Sequence, residues 1–394
     1  MPYQAIKKQT PCIKSLCMPK MGQAFFGNLI IQVPANTASP NAPKLINSKP
    51  LPAWFPKFWL SSKPRKVLIV AHGGKAKGLS FGHLSRCKVI SKQLSKVFGS
   101  ECRFGSKDYP EGIAYLKENG LAYHPISREL SPEEESIFLV NLIQSYGANW
   151  VIIDSPLTEL LSSFYKRIKK SGIHTLYLDD SKFSPPEVDI YHNSSIVAEE
   201  KMLERNKTTE YLLGPRYMIM PEAPFPPMET RWNKDENHIV VTLSFGGSDP
   251  CGYTAKVLRA IREHLPPQWK IRAILGPGFQ LSRAFETACE GFSERVLEVI
   301  QNPKEPYAYF LDSSLVICAG GRTLYELYAL KVPCLPIASI DHEKEHILGF
   351  HKQIGLEPYL LEWSDKAFIQ KFNSVTYHLE SKRNKFESSL YPPT

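Results

Sequence analysis

The chain has 394 residues, of which 43% are hydrophobic and 22% are charged. This length and composition are typical of about two ordinary globular domains and exclude a disordered or fibrous protein. The net charge is +9, but the basic residues are spread in short runs rather than gathered in one arm, so we expect no nucleic-acid partner.

The cysteine pattern and the hydropathy of the sequence predict in which cellular compartment the protein resides. Eight cysteines are scattered without a C-x-x-C pair, which disfavours zinc binding and a disulfide framework. No apolar stretch approaches the roughly 20 residues that span a bilayer, and residues 1–30 carry no clear signal-peptide cleavage pattern. We therefore expect a cytoplasmic protein. Its basic excess leaves peripheral contact with an anionic membrane open.

The first 64 residues are rich in Pro, Asn, Ser and Lys and carry no sustained period, so we interpret residues 1–64 as an irregular N-terminal extension. From residue 66, continuous apolar runs alternate with helical patterns. The runs predict buried parallel strands at 67–71, 150–154 and 175–180, and the helical patterns lie at 82–98 and 160–171.

A Pro-rich passage at 215–235 cannot sustain regular structure, and the alternation restarts after it. Strands are predicted at 238–245, 271–275, 315–318 and 333–338, with helices at 254–264 and 323–330. We expect an α/β fold of two doubly wound domains, at 65–214 and 236–365, followed by a C-terminal helix and tail at 366–394. The carboxyl ends of both sheets then face a cleft, where ligands bind.

Three glycine-containing turns follow predicted strands and are natural phosphate cradles, because backbone amides and helix starts point into the crevice. They are the loop from His72 to Gly82, the turn Gly246-Gly247-Ser248-Asp249 and the turn Gly320-Gly321-Arg322-Thr323. Thr323 suits a helix cap, and the carboxylate of Glu326 suits two ribose hydroxyls. A purely structural alternative is a capping box between Thr323 and Glu326.

The histidine at the start of the first long helix is the best candidate for catalysis. His83 follows Gly82 directly, so its imidazole should face the crevice, and an imidazole suits proton transfer near neutral pH. A lone histidine there is also compatible with a cap or a surface residue. Arg86, one turn on, either orients a phosphate or lies on the surface as a cation.

Five motifs occur in one order along the chain. They are Gly78 to Cys87, the pair Asp179-Asp180 with Asp189 and Asn193, Leu213 to Tyr217, Ser244 to Pro250, and Cys318 to Glu326. This order resembles the UDP-sugar hydrolases of pseudaminic acid biosynthesis and the related spore-coat polysaccharide biosynthesis proteins. These are similar in turn to the N-acetylglucosaminyltransferase of peptidoglycan synthesis. The resemblance covers roughly residues 66–360 and implies two Rossmann-like domains of the glycosyltransferase B type.

The resemblance also implies roles for individual residues. His83, beside Gly82 and Arg86, is implied to activate the water that attacks the anomeric carbon of a UDP-linked amino sugar. Gly246, Gly247, Ser248 and Asp249, together with Gly320 and Gly321, are implied to hold the diphosphate. Glu326 is implied to bind ribose, and Thr323 stands beside the diphosphate turn. Arg322 departs from the family, which has a small residue at this position, and its guanidinium suits a bidentate phosphate contact. No cofactor and no metal are expected.

One loop departs from the family pattern. The family has a loop ending in Asn-Gln, whereas this chain has Ile340 to His346, which puts the sugar contact in doubt. Asp341, His342, Glu343 and His346 are compatible with a metal site or with a solvated helix start. Two other functions therefore stay open beside the hydrolase: a glycosyltransferase with a hydroxyl acceptor in cell-surface polysaccharide synthesis, and a non-catalytic nucleotide-sugar-binding protein.

Overall fold

The computed structural model describes residues 51–383 apart from 75–78, 80, 155–159, 181–182, 185, 203, 222–238 and 304–305. The described residues form two parallel β-sheets with helices packed around them. This confirms the predicted α/β fold of two doubly wound domains. Most of the predicted extension, most of the predicted linker and the last eleven residues (384–394) lie outside the described residues.

The N-terminal domain contains the larger sheet. Its strands are β1 Lys66–Ala71, β2 Glu101–Lys107, β3 Tyr123–Ile126, β4 Trp150–Asp154, β5 His174–Leu178, β6 Ile190–Asn193 and β7 Glu210–Leu213. The order is β3-β2-β1-β4-β5-β6-β7, and every neighbouring pair is parallel. The central strands β1 and β4 are buried at every residue except Lys66, as strands covered on both faces must be.

The C-terminal domain contains a five-stranded parallel sheet. Its strands are β8 Val240–Ser244, β9 Lys270–Leu275, β10 Leu297–Gln301, β11 Leu315–Ala319 and β12 Cys334–Ile337, in the order β10-β9-β8-β11-β12. Each sheet has two adjacent central strands, β1 and β4 in the first and β8 and β11 in the second. After one strand of each pair the chain continues toward one edge of the sheet, and after the other strand it continues toward the opposite edge. A crevice therefore opens at their carboxyl ends, where the predicted site residues lie.

Helices cover both sheets. They are α1 Phe58–Ser62, α2 Gly82–Phe98, α3 Pro110–Glu118, α4 Pro132–Tyr146, α5 Ser162–Lys170, α6 Ala198–Lys201, α7 Tyr253–Ile261, α8 Arg283–Cys289, α9 Pro306–Leu311, α10 Arg322–Leu330, α11 Asp341–Ile354 and α12 Asp365–Arg383. Helix α2 ends at Gly99, whose φ of 66° only glycine adopts without strain. Within the described residues, no helix combines the length and the apolar character needed to cross a bilayer.

Aromatic residues just before the first strand complete the core of the N-terminal domain. Trp54, Phe55 and Trp59 are almost fully buried, and the Trp59 ring meets the Trp150 ring edge-on at 6.1 Å. In the C-terminal domain, Phe368 and Phe372 of α12 are fully buried in the core beside the sheet. The residues before β1 and the helix α12 therefore complete the hydrophobic cores of the two domains.

The segment that follows β6 in the N-terminal domain packs against the C-terminal domain. Ile196 is buried among side chains of the C-terminal domain. Its backbone N–H donates to the Tyr325 hydroxyl at 3.0 Å, and its carbonyl accepts from Gln353 at 2.8 Å. A Cβ on Gly349 of α11 would lie 2.5 Å from the Ile196 side chain, so only glycine allows this approach. The cleft is therefore fixed along one side.

Candidate functional site

The first half of the site forms where β1 and β4 end. Helix α2 follows β1 and presents His83 from its first turn, while Asp154 is the last residue of β4. His83 Nδ1 lies 2.7 Å from Asp154 Oδ1. A carboxylate at that distance favours the tautomer with the proton on Nδ1, which leaves Nε2 as a hydrogen-bond acceptor. The His83 side chain is 15% exposed, so it is mostly buried but still accessible.

Arg86 holds this carboxylate in place. Its Nε and Nη2 each lie 2.5 Å from one oxygen of Asp154, which is a bidentate ion pair, and its Nη1 lies 2.5 Å from Asp180 Oδ1. Burial opposes ionisation of Asp154, but the charge of Arg86 and the hydrogen bonds from Arg86 and His83 outweigh it and hold the pKa of Asp154 well below its ordinary value. Asp154 is therefore an anion at neutral pH, and the charge of Arg86 is matched by two carboxylates.

The second half of the site belongs to the C-terminal domain, where β8 leads into the turn from Gly246 to Asp249. Gly246 has a φ of 74°, which makes the turn possible. The Asp249 carboxylate accepts from the backbone N–H groups of Tyr253 and Thr254 at 2.8 Å, so it caps α7. Gly247 and Ser248 stay partly exposed.

Phe81 brings the N-terminal domain against this turn. A Cβ on Gly247 would lie 3.5 Å from the Phe81 ring, and one on Gly278 would lie 3.1 Å from it. The Gly278 N–H also donates to the Gly247 carbonyl at 2.7 Å. The residue directly before Gly82 and His83 is therefore packed on the glycine turn of the other domain.

The turn from Gly320 to Thr323 lies at the end of β11. Gly321 is the residue before α10 and Arg322 is its first residue, so Thr323 does not cap the helix. The predicted capping box of Thr323 with Glu326 is wrong, because the helix begins one residue earlier than the sequence pattern indicates. A Cβ on Gly320 would lie 2.8 Å from the Ile347 side chain, so the turn is packed tightly against α11.

Glu326 is paired within the protein. Its Oε1 lies 2.7 Å from Arg322 Nε and accepts a hydrogen bond from the Tyr307 hydroxyl at 3.0 Å. Arg322 Nη2 donates to the carbonyl of Ile219 at 2.9 Å, and its buried Nη1 has no hydrogen-bond partner among the described residues. The guanidinium therefore offers one unused donor group beside the glycine turn.

Electrostatic interactions connect the two halves across the cleft. The positive charge of Arg86 opposes that of Arg322, and Asp180 acts on Tyr325 and His346 of the C-terminal domain. The cluster around His83 is therefore close enough to the start of α10 to interact with it electrostatically. Asp154 was not predicted as a site residue, although a carboxylate at the carboxyl end of a central strand is itself a signal.

The loop from Asp341 to His346 forms the first turns of α11. Glu343 and His346 are buried, whereas Asp341 and His342 are exposed. Burial lowers the pKa of His346 to about 4, and the neighbouring His342 adds to this effect. In the described part of the chain, no group of three or more His, Cys, Asp or Glu side chains is arranged to hold a metal ion, so the metal alternative for this loop has no ligand set there.

Comparison with curated proteins gives two distant relatives, and no protein-family model matches the chain. Protein MJ1062 of Methanocaldococcus jannaschii is 24% identical over 297 residues, which are 74% of this chain and 59% of that protein. The spore coat polysaccharide biosynthesis protein SpsG of Bacillus subtilis is 24% identical over 289 residues, which are 70% of this chain and 78% of that protein. The chain thus spans less than two thirds of the length of MJ1062.

Solved structures with the same architecture include enzymes that act on sugars. MurG of Acinetobacter baumannii has a TM-score of 0.56 at 14% identity and covers 79% of this chain and 91% of its own. A glycosyltransferase of Rickettsia africae has a TM-score of 0.51 at 12% identity, with 82% and 93% covered. A putative UDP-N-acetylglucosamine 2-epimerase of Listeria monocytogenes has a TM-score of 0.51 at 12% identity, with 82% and 91% covered. At these identities the likeness establishes the fold, which is that of the B-type glycosyltransferases.

Proposed function

We propose that this chain is a glycosyltransferase that takes its donor sugar from UDP and acts in the synthesis of a cell-surface polysaccharide. The arrangement of His83 and Asp154 opposite the glycine turns of the C-terminal domain is the observation that carries this proposal. The fold and the spore-coat relative support the same class of chemistry. Fold alone does not define a reaction, so the argument depends on the site residues.

The C-terminal domain is proposed to hold UDP. Exposed backbone amides in the turn from Gly246 to Ser248 suit phosphate oxygens, and the unused Nη1 of Arg322 adds a charged donor. Glu326 is the proposed partner of the ribose hydroxyls. Its bonds to Arg322 and Tyr307 fix the direction of the carboxylate, and its second oxygen can accept from ribose.

His83 is the proposed general base. In the transfer, His83 Nε2 takes the proton of the acceptor hydroxyl while the acceptor oxygen forms a bond to the anomeric carbon. The bond between that carbon and the β-phosphate oxygen breaks, and its electron pair leaves with UDP. The anionic Asp154 stabilises the imidazolium that forms and keeps Nε2 directed into the crevice. Arg86 is a positioning residue that holds Asp154.

Hydrolysis is the second candidate, because the same base can deprotonate water in place of a hydroxyl. The five ordered motifs that resemble the UDP-sugar hydrolases of pseudaminic acid biosynthesis favour it. Incubating the protein with UDP-sugars, with and without cell-envelope acceptors, distinguishes the two. UDP release that requires an acceptor indicates transfer, whereas free sugar released in water indicates hydrolysis.

The base is tested by His83→Ala, with His264→Ala on the exposed end of the α7 region as the matched control. We expect His83→Ala to lower the rate of UDP release on the order of 100-fold or more while UDP still binds. Undiminished turnover in His83→Ala contradicts the mechanism. UDP binding without turnover of any donor in the unmodified protein supports a non-catalytic nucleotide-sugar-binding protein instead.

A further inference from the structure

One carboxylate lies directly at the turn that was expected to hold the diphosphate. Glu343 of α11 is only 7% exposed. Its Oε2 accepts a hydrogen bond from the Ser339 N–H at 2.7 Å, and a Cβ on Gly321 would lie 2.8 Å from its Oε1. Burial raises the pKa of the Glu343 carboxyl, and the backbone groups of Ser339 and Gly320 oppose this shift. Glu343 therefore joins the turn before α10 to the loop before α11.

The starts of two helices explain why a carboxylate is stable at this position. Two helices begin beside the carboxylate, and the positive ends of helices favour an anion there. The glycines and amides that attract a phosphate thus already hold a protein carboxylate. A phosphate that approached Gly320 would compete with this carboxylate for the same amides, and it would meet a like charge wherever the carboxylate is ionised.

The start of α7 is occupied in the same way, because the Asp249 carboxylate caps it. Two other observations favour a different place for the diphosphate. Gly247 and Ser248 are partly exposed, and the buried Nη1 of Arg322 has no hydrogen-bond partner in the described part of the chain. These groups follow the neighbouring strands β8 and β11, whose carboxyl ends meet at the same edge of the sheet.

We infer that Glu343 is a specificity-determining residue: its carboxylate excludes phosphate from the Gly320–Gly321 turn and directs the diphosphate of a bound nucleotide to Gly247, Ser248 and Arg322. This inference rests on the proposed UDP-binding function and revises the expectation that Gly320 and Gly321 hold the diphosphate. Removing the negative charge should then strengthen the binding of a diphosphate without changing the binding of the uncharged nucleoside.

The test uses calorimetric binding of UDP and of uridine to the full chain and to Glu343→Gln at low salt. We expect Glu343→Gln to bind UDP roughly tenfold more tightly and uridine as the unmodified protein does. Glu345→Gln is the matched control, because Glu345 is exposed on the same helix and pairs with Lys201 instead. Arg322→Gln is expected to weaken UDP binding more than uridine binding, because it removes a phosphate donor and also one partner of Glu326.

Each outcome bears on the inference. If Glu343→Gln binds UDP no more tightly than the unmodified protein, Glu343 only joins two loops and the inference is wrong. If Glu343→Gln does not fold, as judged by circular dichroism, Glu343→Ala tests the same loss of charge. If the folded, unmodified protein binds neither UDP nor uridine, the proposed function itself fails, which is distinguishable from a failure of the Glu343 inference alone.

Discussion

Asp154 organises the proposed catalytic half of the site, since its two oxygens contact both His83 and Arg86. The carboxylate is completely buried, and its negative charge is retained only because these partners surround it. A buried anion with such partners fixes the tautomer and the direction of an imidazole. The function of His83 therefore depends on a residue 71 positions away in the chain.

Replacing Asp154 by Asn tests this dependence. The amide keeps the shape but can donate to Nδ1, which favours the wrong tautomer, so we expect kcat for UDP release to fall by roughly 100-fold with a smaller change in KM. Asp365→Asn, on an exposed residue of α12, is the control. An unchanged kcat in a folded Asp154→Asn protein contradicts the positioning role.

At this scale the sequence predicted the histidine but not its partner. His83 stands out because it follows a strand, a glycine-containing loop and a helix start. From the sequence, Asp154 is only the last residue of a predicted buried strand. Its proximity to His83 arises from the pairing of β1 with β4. The spacing of residues along the chain does not reveal which distant strands pair. The contact between His83 and Asp154 is therefore visible only in the folded structure.

At the scale of elements, the sequence predicted best where apolar character is continuous. The bounds of β4 and α2 agree with the predicted ones, because Trp150–Asp154 is an unbroken buried run and Gly99 ends the helix. Strands β2, β3, β6, β7 and β10 were not predicted. Polar residues such as Arg103 in β2 and His192 in β6 interrupt the apolar pattern. His192 Nε2 donates to the Tyr217 carbonyl, while its buried Nδ1 has no hydrogen-bond partner among the described residues.

The helix α4 offers a direct test of local structure. Its capping box joins Ser131 to Glu134 through both side chains, with the Ser131 hydroxyl accepting from the Glu134 N–H at 3.2 Å. We expect Ser131→Ala to reduce the free energy of unfolding by about 1 kcal/mol in urea titrations. Ser145→Ala in the last turn of the same helix should cost less, since alanine favours helix. Equal losses in the two variants would rule out a special contribution of the cap.

At the scale of the whole molecule, buried histidines make stability depend on pH. Burial lowers the pKa of His72 to about 3 and the pKa values of His192 and His346 to about 4. In the unfolded chain a histidine takes up its proton near pH 6.5. Between about pH 6.5 and pH 4 the unfolded state therefore binds more protons, and stability falls as the pH is lowered through this window.

Urea unfolding at pH 7 and at pH 5 measures this effect. We expect a loss of a few kcal/mol in the free energy of unfolding at pH 5. His192→Gln, whose amide can still donate to the Tyr217 carbonyl, should flatten the dependence, whereas His264→Gln on the surface should not. An equally steep dependence in His192→Gln indicates that other groups are responsible.

We propose that UDP lies on the turn from Gly246 to Ser248 in the C-terminal domain, with its diphosphate facing His83 across the cleft. A crystal structure with bound UDP tests it most directly. We predict electron density for the diphosphate at Gly247, Ser248 and Arg322, ribose at Glu326, and the β-phosphate open toward His83. Nucleotide density outside this cleft, or a β-phosphate turned away from His83, would contradict the account.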